Sequence, residues 1–69
     1  MQKEWNESVT ETIKKQAFKT AFRLHQQARE EGDAEKYKQA AYYYELAGEW
    51  DKQDACLTIA RALQNEQTA

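Results

Sequence analysis

His25 is the only histidine in the chain and Cys56 the only cysteine, so acid–base or nucleophilic chemistry would have to start from one of them. A general base needs a positioned partner and a reason for a shifted pKa. His25 instead lies beside Phe18, Phe22 and Leu24 in the apolar pattern, which suits a partly buried, hydrogen-bonded side chain. Cys56 falls in line with Ile59, Ala60 and Leu63. Free cysteine is among the most buried residue types, so this spacing predicts a core thiol. Asp51 and Asp54, at i and i+3, could hold a metal ion; with Glu49 nearby they would equally favour the first turn of a helix through its dipole. The sequence contains no Cys-x-x-Cys, His-Glu-x-x-His, Gly-x-Gly-x-x-Gly or phosphate-binding loop. We therefore read a non-enzyme, with no catalytic, cofactor-binding or metal-ligating residues assigned.

Charge is the sharper chemical feature. From Thr12 to Arg29 there is no acid, while Lys14, Lys15, Lys19, Arg23 and Arg29 are basic. Lys15, Lys19 and Arg23 form an i, i+4, i+8 stripe along one helical line. From Gly32 onward the balance reverses, with four basic residues against seven acidic ones. The stripe could track phosphates, could meet an acidic protein surface, or could be an ordinary solvated face. The chain as a whole is acidic, at a net charge of −2, which weighs against nucleic acid. A homodimer placing the first helix of one copy against the acidic half of another would account for the asymmetry as well.

Aromatic residues supply the candidate partner-binding surface. Tyr44 belongs to a core face, so Tyr43 and Tyr42 point about 100° and 200° away from it. Tyrosine and tryptophan are enriched at interface hot spots. Tyr42 and Tyr43, with Leu46 and with Trp50 just past a turn, could frame an apolar patch, or could pack under the first helix. Trp5 and Val9 lie by helical phase outside the Ala17–Leu24 line, and so either staple the N-terminus or reach a second chain.

The elements that position these residues are set by two glycines and no proline in 69 residues. Gly32 and Gly48 are each followed by an acid, Asp33 and Glu49. Glycine just past a periodic segment is the usual helix stop, and an acid after it favours the next N-terminus. The pattern predicts an all-α, antiparallel three-helix bundle with helices at about 4–31, 33–47 and 50–65 and a frayed tail at 66–69, all in one domain. Tyr37, Ala40, Ala41 and Tyr44 form the second helix's apolar face, and Cys56, Ile59, Ala60 and Leu63 the third's. The first helix has a broader arc, with Ala21, Leu24 and Ala28 in line, Phe18, Phe22 and His25 beside them, and Ile13 and Ala17 before them. So wide a face predicts two neighbouring helices, one of which could belong to a partner. A shift of sixteen residues superposes Leu24 on Ala40 and Cys56, Ala28 on Tyr44 and Ala60, and Gly32 on Gly48. Stacked antiparallel helices with short turns produce such an echo.

Residues 34–65 resemble a single tetratricopeptide repeat. Tyr37, Ala40, Ala41 and Tyr44 match its first-helix pattern, Gly48 its turn, Trp50 the aromatic that opens its second helix, and Leu57 and Ala60 that helix's own pattern. Gln53 departs from the family's small residue, and Asn65 stands where proline often ends the repeat. The whole chain is also similar to the three-helix bundle of the microtubule-interacting-and-trafficking type. Both resemblances imply a protein-binding scaffold. One repeat is short of the roughly three a solenoid needs, so either the chain self-associates to complete the stack or it closes as a bundle.

A lone cysteine, no run of ~18 apolar residues and an opening Met1-Gln2-Lys3-Glu4-Trp5 without a signal-peptide core give the expectation of a cytoplasmic protein away from membranes. The expected function is an adaptor or inhibitor that binds another protein, with homodimerisation as one route. A nucleic-acid-associated regulator using Lys15, Lys19 and Arg23 is the alternative.

Overall fold

The computed structural model describes the backbone of residues 2–68 and the side chains of residues 9–66. Three helices account for it: α1 (Gln2–Glu31), α2 (Ala34–Leu46) and α3 (Trp50–Thr68). The three-helix all-α expectation is met, with α1 the longest. The third helix continues three residues beyond its expected end at 65, so the backbone expected to fray after 65 is helical through Thr68.

Both turns are built by their glycines. Gly32 and Gly48 adopt φ of 63° and 75°, the left-handed region that side chains rarely enter. At the end of α1 the Asp33 N–H donates to the Ala28 carbonyl at 3.1 Å. At the end of α2 the Glu49 N–H donates to Tyr44 O at 2.9 Å and the Gly48 N–H to Glu45 O at 3.0 Å. These bonds satisfy carbonyls that a helix end otherwise leaves open. Asp33 then starts α2, its carboxylate accepting from the backbone N–H of Glu35 at 3.0 Å and of Lys36 at 3.4 Å.

Turns this short force α2 back along α1 and α3 back along α2. α2 is the central element, making the principal contacts with both neighbours, while α1 and α3 touch only slightly. One cluster holds the three together: Ala21 and Ala28 from α1, Ala34, Tyr37, Ala40, Ala41 and Tyr44 from α2, and Cys56 and Ala60 from α3. Phe18, Leu24, Tyr43 and Leu63 pack against its edge. The interior is mostly alanine, which lets the helix axes approach closely. Tyr44 is the largest side chain fully enclosed.

Three residues of the expected apolar faces stay largely outside this core. Ile13 is 54% exposed and Phe22 49%, and Ile59 is also exposed. The causes are geometric. At 1.5 Å per residue, α1 is about 45 Å long and α2 about 20 Å, so α2 covers α1 only from about Ala17 onward. Phe22 stands one turn beyond Phe18, and Ile59 one residue before the buried Ala60, each on a flank that the core cluster does not cover. The molecule is consequently extended, 56 × 17 × 13 Å along its principal axes.

Candidate interaction surfaces

The run Tyr42-Tyr43-Tyr44 is divided among three environments by one helix. Tyr44 is enclosed in the core; Tyr43 is half-buried against its edge; Tyr42 is 57% exposed. The rings of Tyr42 and Tyr43 stand edge to face with centroids 5.3 Å apart. Both line an open furrow of ≈ 580 Å³ between α1 and α2, together with Thr20, Arg23, Leu24 and Gln39. Tyr43 packs under α1, and Tyr42 faces solvent.

Leu46 follows Tyr42 by one turn on α2 and is exposed, and Trp50, the first residue of α3, is 63% exposed. Tyr42, Leu46 and Trp50 are thus each exposed on the α2–α3 hairpin, Tyr42 beside the α1–α2 furrow. Val9 is exposed on the part of α1 that α2 does not reach. The side chain of Trp5 lies outside the described residues.

A second furrow, of ≈ 410 Å³, runs between α1 and the α2–α3 turn. It is lined by Lys14, Lys15, Phe18, Lys19, Ala47 and Glu49. Lys15 and Lys19 thus belong to this furrow, and Arg23 to the one beside the tyrosines. All three are exposed. The ion pairs among the described residues join Glu31 with Lys36 at 2.8 Å and Glu35 with Lys38 at 3.7 Å, and the basic stripe enters neither. Sequence reasoning did not identify this furrow, because Ala47 and Glu49 meet Phe18 only through the tertiary return of α2.

His25 is half-buried. Its Nδ1 is 3.1 Å from the Tyr44 hydroxyl, and its ring stands edge-on to Tyr37 and Tyr44 at 5.7 and 5.9 Å. Burial, then the charges of Arg29 and Lys52, hold its pKa below the ordinary value. Cys56 is fully enclosed, and burial pushes its thiol up, away from the reactive thiolate. Burial likewise raises the Tyr44 phenol. His25 and Tyr44 thus form a hydrogen-bonded pair at the α1–α2 contact, with Cys56 enclosed in the same cluster as Tyr44.

Asp51 and Asp54 are both exposed on the first turns of α3. Among the described residues no three histidine, cysteine or acidic side chains are grouped to hold a metal ion, and no helix is long and apolar enough to cross a membrane. No family model, curated protein or solved structure matches this chain.

Proposed function

We propose that this chain is a small helical protein–protein interaction module, an adaptor or inhibitor of a larger protein, with no catalytic role of its own. One observation carries the reading: the interior is mostly alanine, while several large apolar side chains stand outside it. Alanines make up most of the buried set, whereas Tyr42, Leu46 and Trp50 are each exposed on the α2–α3 hairpin. A single exposed apolar residue is ordinary, but an exposed tyrosine, leucine and tryptophan on one hairpin supply the side-chain types an interface uses. The resemblance to a tetratricopeptide repeat supports the same reading, since such repeats bind other proteins.

Affinity capture from lysate of the source cell, with and without nuclease, tests it. A discrete protein should be retained after nuclease and weakened by Tyr42→Ala, while circular dichroism and melting stay close to wild type. Tyr43→Ala is the control for core damage, because its ring packs against the central cluster. Equal loss of fold and binding in Tyr42→Ala would remove the surface assignment.

The second reading, a nucleic-acid-associated regulator, has one observation in its favour: Lys15, Lys19 and Arg23 are exposed and outside both ion pairs. It expects oligonucleotide binding that falls steeply with salt and is abolished by Lys15→Glu with Lys19→Glu.

A further inference from the structure

The furrow beside Phe18 has an apolar floor and a cationic rim. Lys14, Lys15 and Lys19 line it from α1, and Glu49 at the turn end offsets only one of these three charges. Whatever fills it should bring a large apolar group flanked by acids. This chain carries such a group on its own surface. Trp50 is 63% exposed, with Asp51 and Asp54 exposed at the next position and four residues on.

Trp50 directly follows Glu49, so the socket and the group that would fill it share one turn. A two-fold axis passing near that turn would carry each tryptophan into the other copy's furrow at once. Such a contact is isologous and closes as a pair, with no free socket left to propagate a fibre. A foreign acidic segment would fill the furrow but leave Trp50 uncovered, whereas a second copy covers both.

We propose that the Phe18 furrow receives Trp50 of a second copy of this chain, in a two-fold pair where Asp51 and Asp54 of each copy meet Lys15 and Lys19 of the other. This deepens the interaction-module reading by naming the chain itself as one partner, and it rests on that reading. Two tryptophans and the rims of two furrows make a contact at the small end of protein interfaces, below the ~1,200 Å² of a standard one. The pair is therefore weak and concentration-dependent.

Analytical ultracentrifugation of the full chain, from about 1 μM to about 1 mM, tests the pairing. Wild type should show a monomer–dimer equilibrium that weakens as salt rises. Trp50→Ala should raise the dimer Kd at least about thirtyfold, the scale of a tryptophan hot spot. The charge arm uses two variants, Lys15→Glu with Lys19→Glu in one and Asp51→Lys with Asp54→Lys in the other. Each alone sets like charge against like and should be monomeric. Mixed in equal amounts they should pair, because each copy then offers the other opposite charge at both contacts. Circular dichroism of each variant establishes that it is folded, and Trp50→Ala leaves all charges of the helix start in place.

A wild-type chain that stays monomeric to the top of the range overturns the pairing, whether or not it takes up an acidic peptide at the furrow. If that monomer still captures a protein through Tyr42, the module reading stands and only self-pairing falls. A dimer indifferent to Trp50→Ala, or charge variants that fail to pair when mixed, would place the contact elsewhere. A pair that behaves as expected in a chain that captures no other protein would remove the adaptor reading and leave the pairing intact.

Discussion

At the centre of the molecule one histidine does the polar work. His25 reaches the Tyr44 hydroxyl across the α1–α2 contact while its ring packs on Tyr37 and Tyr44. The neutral imidazole can accept from the phenol or donate to it, depending on tautomer. The imidazolium offers only donors, and it forms beside Arg29 and Lys52, both of which lower its pKa along with burial. The folded state therefore binds this proton less readily than the unfolded chain, whose histidine titrates near the ordinary value of 6.5. Stability from this site is in place above that value and is lost as pH falls through the lower, folded-state pKa. Melting temperature should accordingly decline as the solution is acidified below about 6.5. Since there is no other histidine, His25→Phe should flatten that part of the curve while keeping an aromatic ring against Tyr37 and Tyr44. An unchanged slope in His25→Phe would assign the effect to carboxylates instead.

The helices themselves were largely legible, because their limits depend on local chemistry. Two glycines with left-handed φ stop α1 and α2, and Asp33 caps the next start through its own side chain. An added Cβ would meet no atom within 4 Å at either glycine. The cost of Gly32→Ala or Gly48→Ala is therefore a backbone cost, about 1–2 kcal/mol for holding an L-residue in that region. Denaturant titration should show this loss at each site, and Asn in place of Ala should recover part of it. Asp33→Ala should cost about 1 kcal/mol as a lost cap. Periodicity also found the faces of α2 and α3, since Tyr37, Ala40, Ala41, Tyr44, Cys56 and Ala60 are all buried. It could not tell which flank of a broad face a neighbour covers. Ile13, Phe22 and Ile59 fit the apolar pattern as well as Ala21 does, yet stand outside because helix length and lateral placement are tertiary properties. The division between Tyr42 and Tyr43 was open for the same reason, and so was the Phe18 furrow.

The shape of the whole chain follows from the mismatch in helix lengths. Its radius of gyration is 14.3 Å, against about 11 Å for a compact chain of this size. The surplus lies along α1, whose buried residues run from Ala17 to Ala28 while Val9 and Ile13 stay exposed. Residues 9–16 contribute no buried side chain to the core, and isolated helices shorter than ~12–15 residues are marginal in water. Local opening of residues 9–16 should thus be far easier than opening of residues 21–28, which requires breaking the contact with α2. Hydrogen exchange in dilute solution should show amides of the first segment exchanging orders of magnitude faster than those of the second. Amides of residues 37–44 should be as slow as those of 21–28, because Tyr37, Ala40, Ala41 and Tyr44 belong to the same cluster. Ile13→Ala should move the melting temperature by no more than about 4 °C, as a surface substitution does. Phe18→Ala should lower it several-fold further, since that ring stands edge-on to Tyr44 at 5.8 Å. Uniform protection along α1 in dilute solution would mean that its first half is covered after all. Protection of residues 9–16 that rises with concentration and vanishes in Trp50→Ala would instead show the self-paired form extending its contact along α1, beyond the furrow at Phe18.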